Sequence, residues 1–190
     1  LALREAGHRV IVHTLASEGE RIAREGLEAR PLAPEIEAIP IEDYKTPGSL
    51  GQLKATVACW WARAPHEVRD LRVAVDQLDP DLLVVDVNAW GATAVAEASG
   101  LPWAAFLPYC LPVPSPDTPV FGPGFPPPRH ALDRLRDRLV GRAVHGAVRD
   151  VLEELAALRA RHGLAPVRRY GDLFLRAERV LYRTAEPFDY

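Results

Sequence analysis

Few residues in this chain combine the type and placing that acid–base chemistry needs, and Asp86 is the clearest. It closes the most apolar run in the sequence, Asp81-Leu-Leu-Val-Val-Asp86, and stands just ahead of a helical pattern. A carboxylate there lies at the carboxyl end of a strand, where open α/β sheets bind their ligands. Two readings stay open at this point. The carboxylate orients and charges a catalytic base, or it closes an Asx turn or caps the following helix. Asn88 and Trp90 share the same turn. Asn88 reads first as the N-cap of the helix, and Trp90 as either a pocket wall or packing against the next helix.

Other chemistry is harder to assemble. His13 and Cys110 also follow strand-like runs, but no third group orients them, so no nucleophile–base pair is built on them. The remaining histidines, at 8, 66, 130, 145 and 162, lie on helices or at helix ends. The chain has no HxxxH, HExxH or CxxC spacing, so no metal is expected. It has no GxGxxG and no Walker loop. Gly122-Pro-Gly124 reads as a turn, because proline removes an N–H that a phosphate would need. No cofactor is therefore expected on this chain.

Aromatic residues suggest an apolar ligand. Trp60 and Trp61 are adjacent on one helical pattern, so they point about 100 degrees apart. One should face the core and the other a pocket or interface. The stretch 108–128 is rich in proline, has no periodicity, and carries Tyr109, Phe121 and Phe125. Loops of that length are functional or disordered. This one reads as a stiff wall over an apolar pocket, with an exposed surface loop as the alternative.

The elements that must position these residues follow from periodicity. Strands are expected at 9–14, 27–32, 81–86, 102–107 and 179–184. The run at 81–86 is continuously apolar, as a strand buried on both faces should be. Helices are expected at 1–6, 18–24, 49–78, 88–99, 130–162 and 170–176. Ser17 and Glu20 are in capping-box register for the second. Pro65 should kink or split the third. Leu132, Leu135, Leu139, Ala143, Val148, Leu152, Leu155 and Leu158 mark the inner face of the fifth. Alternating strands and helices give an α/β fold, a Rossmann-like parallel sheet with helices on both faces.

Bulk properties narrow the class. The 190 residues are 48% hydrophobic, enough for one domain spanning 1–190 with a real core. The net charge is −3 with both signs mixed, so nucleic acid is not an expected partner. No run of 18 apolar residues occurs, so no membrane span is read. Cys59 and Cys110 fit free thiols in a reducing, cytoplasmic setting. The chain has no methionine and opens inside a helical pattern. The expectation is a domain truncated at both ends.

Three segments carry a family resemblance. "LALREAGHRVIVHT" resembles the first helix and second strand of GT-B fold nucleotide-sugar glycosyltransferases. "DPDLLVVDVNAWGATAVAEASGLPWAAF" resembles their fourth strand, the following helix and the fifth strand. "RVLYRTAEPFDY" resembles the strand that ends their N-terminal domain. The likeness is to actinobacterial natural-product enzymes, in the superfamily of the UDP-glycosyltransferases, and it covers essentially the whole chain.

The resemblance implies an inverting sugar transfer from a nucleotide-diphosphate sugar to a hydroxyl of an apolar acceptor. A base histidine ahead of Leu1, absent from this sequence, would deprotonate the acceptor. Asp86 matches the aspartate that orients that histidine. Acceptor contacts would come from Trp60, Trp61, Asn88, Trp90, Tyr109, Phe121 and Phe125. The UDP- or dTDP-sugar would sit on a C-terminal domain that is absent here. The implied partners are a polyketide, macrolide, enediyne or similar acceptor and the C-terminal domain, with a homodimer as an option. Two alternatives remain: half of a GT-B sugar-nucleotide epimerase, and a non-enzymatic α/β module that binds a small molecule or a partner.

Overall fold

The computed structural model describes residues 1–109, 113, 115, 117–119 and 123–183. Expectations for Cys110, Phe121 and the turn at 184–186 lie outside the described residues. The chain divides into two compact units, Leu1–Pro40 and Ile41–Tyr190.

The first unit holds a two-stranded parallel sheet. Helix α1 (Ala2–Glu5) leads through Gly7, at φ +89°, into strand β1 (Ile11–Thr14). A 3-10 turn (Ala16–Glu18) runs into α2 (Gly19–Arg24), and β2 (Glu28–Pro31) returns beside β1 with Ile11 opposite Glu28. Helix α3 (Pro34–Glu37) follows. Ser17 does not cap α2 as its register suggested. It lies inside the 3-10 turn, and neither that turn nor α2 has a side-chain cap at its own N-cap residue. Instead the Glu37 carboxylate reaches back from α3 and accepts the Ala16 N–H at 2.6 Å. An acid 21 positions away supplies the acceptor that a local serine was expected to give.

The second unit contains a three-stranded parallel sheet in the order β3–β4–β5, from β3 (Leu83–Asp86), β4 (Trp103–Leu107) and β5 (Arg179–Tyr182). Leu83 is opposite Trp103, and Ala105 is opposite Val180. Three helices build the core with it: α4 (Ser49–Leu78), α5 (Trp90–Ala98) and α6 (Ala131–Ala160). Val57, Ala64 and Val68 of α4 meet Trp90, Ala94 and Val95 of α5, Trp103 and Leu107 of β4, and Leu155 of α6.

Four expectations need correcting here. Helix α4 runs unbroken through Pro65. Proline removes one ladder bond, but buried residues on both sides of it, Val57, Ala64, Val68 and Ala74, hold the two halves in line. Strand β3 is not buried on both faces. It is the outer strand of its sheet, so Val85 is buried while Leu82 and Val84 are 54% and 51% exposed. The inner face of α6 is confined to its C-terminal half, where Leu152, Leu155 and Leu158 are buried. Leu132, Leu135 and Leu139 are exposed, because the first half of the helix extends past the core. The helix expected at 170–176 is a shorter 3-10 turn, Tyr170–Leu173.

Two devices lock the helices, one polar and one steric. Arg159 is fully buried and donates to Glu97 of α5 at 2.7 Å and to the Ala165 carbonyl at 3.0 Å. Arg176 adds bonds to the Ala165 and Pro166 carbonyls at 2.8 and 2.9 Å. The second device is the crossing of α4 and α5. Gly91 lies so close to α4 that a Cβ there would stand 2.0 Å from the Ala64 carbonyl oxygen. Only glycine permits that approach, and backbone cannot rotate out of the way.

Gly91→Ala should therefore destabilise the chain by about 3 kcal/mol, the upper range for overpacking. Denaturant titration of both proteins measures it. A loss below about 1 kcal/mol would mean that the helices separate easily and the contact is not a constraint.

Candidate functional site

The turn between β3 and α5 is the centre of the site. Asp86 ends β3, and its Oδ1 accepts the Asn88 N–H at 2.8 Å. The Ala89 N–H bonds the Asp86 carbonyl at 3.0 Å. This is an Asx turn, one of the two roles expected of Asp86. It uses one carboxylate oxygen and leaves the other role open. Asn88 is not the N-cap: α5 starts at Trp90 with Ala89 as its N-cap residue. The turn made by Asp86 delays the helix by two residues.

The acceptor that α5 lacks locally comes from α4. Glu67 is buried, and its Oε2 accepts the Gly91 N–H at 2.8 Å. The Ala92 N–H also favours the charged form of this carboxylate. Glu67 thus caps the first turn of α5 across the helix crossing, and a helix N-terminus favours an acidic group there. Burial nevertheless raises its pKa to about 7, against the two backbone bonds and the nearby Arg63, which pull it down. Asp86 adds a smaller upward push.

Asp86 is exposed as a residue on the open side of β3, yet its carboxyl group lies against packed atoms. That desolvation pushes its pKa up, and hydrogen bonds from the Asn88 backbone and side chain oppose the shift. The Asn88 Oδ1 receives the Tyr109 hydroxyl at 2.9 Å, and the Tyr109 and Tyr170 oxygens lie 2.5 Å apart. Tyr170 is half-buried, and desolvation of its hydroxyl, with Tyr109 beside it, holds the phenol far above the usual range.

The residues singled out from sequence separate into groups. Asp86, Asn88 and Tyr109 converge at the ends of β3 and β4. Trp60 and Trp90 pack together with ring centroids 5.7 Å apart. Trp90 is buried, so it belongs to the core, and its Nε1 hydrogen finds no partner among the described residues. Trp60 and Trp61 are half-buried against the core. Phe125 packs beneath the Arg136 guanidinium at 4.3 Å. His13 contacts the Pro31 carbonyl at 3.1 Å. Sequence reasoning missed Tyr170 and Glu67. Tyr170 had no motif around it, and Glu67 was hidden on a helix where a charged residue reads as solvent-facing. Its position three after Ala64 and one before Val68, on the apolar stripe, was the available signal. Among the described residues no cluster of His, Cys, Asp and Glu could hold a metal ion. Among them, too, no helix is long and apolar enough to cross a membrane.

No protein-family model matches the chain. The 4'-demethylrebeccamycin synthase of Lentzea aerocolonigenes is 27% identical over 197 residues, covering 97% of this chain and 46% of that protein. Among solved structures, the kitacinnamycin glycosyltransferase superposes with TM-score 0.60 at 18% identity, over 95% of this chain and 40% of that one. The spinosyn rhamnosyltransferase SpnG superposes with TM-score 0.56 at 14% identity, over 94% and 38%. The chain has the fold of the GT-B glycosyltransferases. It spans under half the length of the glycosyltransferases it matches. Asp86 ends β3 at the carboxyl edge of a parallel sheet, the edge at which open α/β sheets generally take their ligands.

Glu67 yields a test of the site's electrostatics. Its folded-state pKa, about 7, is above the reference value of 4.5. Between these values the folded chain keeps a proton that the unfolded chain has released. Its stabilising effect is therefore complete below pH 4.5 and is lost as pH rises through 7. The loss amounts to about 3 kcal/mol by linkage. Glu67→Gln stays neutral, so its stability should fall less than wild type between pH 5 and pH 8. Denaturant midpoints at both pH values measure the difference, and equal slopes would contradict the assigned burial.

Proposed function

We propose that this chain is the acceptor-binding half of an inverting glycosyltransferase, which moves a sugar from a nucleotide-diphosphate sugar to a hydroxyl of an apolar natural-product acceptor. The observation that carries the reading is the placing of Asp86. It ends a parallel strand of a glycosyltransferase fold, it is fixed by its own turn, and its carboxyl group is partly desolvated. Such a group is suited to accept an imidazole N–H, hold the ring in one tautomer and stabilise the imidazolium that forms.

The base histidine and the UDP- or dTDP-sugar site are assigned to parts of the enzyme outside this sequence. The acceptor would rest against Trp60 and Trp61 of α4, with Phe125 as a further aromatic contact. Aromatic surface of this kind holds an apolar scaffold while few polar groups fix its orientation. The fold likeness to solved glycosyltransferases, and a relative that is a synthase in natural-product chemistry, support this reading over a non-enzymatic module.

In the two-domain enzyme, Asp86→Asn should lower kcat about a hundredfold or more, in line with general-base catalysis, and change the acceptor KM by less than about threefold. A sugar-transfer assay measures both. Full turnover by the variant would remove Asp86 from the mechanism.

A further inference from the structure

The Asp86 carboxylate has more behind it than its own turn. The Asn88 backbone N–H donates to that carboxylate at 2.8 Å, and the Asn88 side-chain amide favours its charged form. An amide that favours a carboxylate turns Nδ2 toward it, and this agrees with Oδ1 accepting from the two phenols. Asn88 Oδ1 then faces the other way, where the Tyr109 hydroxyl donates to it at 2.9 Å. A phenol has one proton, and Tyr109 has used it. The 2.5 Å contact between the two phenol oxygens is therefore a bond that Tyr170 donates to Tyr109. Tyr170 also lies 3.3 Å from Asn88 Oδ1, a longer branch toward the same acceptor.

Every proton in this chain of bonds points one way, toward Asp86. Aligned hydrogen bonds polarise one another, most of all in a partly buried site. The residues come from three separate segments: the turn after β3, the end of β4, and the 3-10 turn ahead of β5. Tyr170 is further fixed by an edge-on contact with the buried Phe174, with centroids 6.0 Å apart.

We propose that Asn88, Tyr109 and Tyr170 form a directional hydrogen-bond relay that positions Asp86, so the two tyrosines are positioning residues and not acceptor contacts. The inference rests on the assignment of Asp86 as the partner of the base, and it changes the roles first expected for Asn88 and Tyr109. Their polar groups are occupied inside the protein and are not presented to a ligand.

The test uses two conservative variants, Tyr109→Phe and Tyr170→Phe, which keep the rings and remove the hydroxyls. Carbon-detected NMR follows the Asp86 side-chain carboxyl across pH in the intact chain. The relay predicts an upward move of the Asp86 titration in Tyr109→Phe and a smaller one in Tyr170→Phe, which is one bond further away. In the two-domain enzyme it predicts a fall in kcat of about five- to thirtyfold for Tyr109→Phe, the effect of one hydrogen bond to a charged network. The acceptor KM should stay within about twofold. An Asp86 titration unmoved in both variants would overturn the relay. So would a raised acceptor KM with unchanged kcat, which would make Tyr109 an acceptor contact. A moved titration in an enzyme whose Asp86→Asn variant keeps full turnover would support the relay and reject the base-orienting role.

Discussion

The second unit of this protein depends on the crossing of α4 and α5. At Gly91 the two backbones approach so closely that no side chain fits, and at the same point Glu67 supplies the hydrogen-bond acceptor that the start of α5 lacks. The two effects reinforce each other. The close approach brings the carboxylate within reach of the Gly91 and Ala92 amides, and the bonds hold the approach closed. A buried acid is costly unless its partners are good, and burial has raised this one to about 7 in spite of them. The contact therefore fixes geometry at a cost in stability near neutral pH.

What that contact fixes is the turn ahead of α5. Asp86, Asn88 and Ala89 are joined to the helix start by short-range bonds, so a clamped helix start is also a clamped Asp86. The core behind it is apolar, with Trp90 packed on Trp60 and the buried strand β4 alongside. In front, the sheet ends in polar groups whose bonds run toward one carboxylate. A rigid apolar support beneath a single oriented acid is what orienting a catalytic base requires.

Much of this was legible in the sequence because it depended on local pattern. Strand β4 and the C-terminal half of α6 had unambiguous periodicity, and Asp86 was visible at the end of an apolar run. The failures share one physical cause. Local sequence points to caps at Ser17 and Asn88, whereas the structure uses Glu37 and Glu67 from distant helices. A long-range acceptor leaves no mark at the helix it caps. Similarly, β3 had the composition of a doubly buried strand but lies at the edge of its sheet, and α6 continued its leucine spacing beyond the core. Tyr170 acquires its role only through folding, which brings it to Tyr109 across 61 positions of sequence.

The central claim is that Glu67 clamps the start of α5 and with it the Asp86 turn. Amide hydrogen exchange at Gly91 and Ala92 tests it most directly. The first N–H groups of a helix have no intrahelical acceptor and normally exchange fast. The clamp predicts that both amides exchange only as slowly as the core amides of α5, at a pH where the chain is stable, and that Glu67→Ala makes them fast. Rapid exchange at both positions in the wild-type chain would show that the helix start is open and would contradict the account.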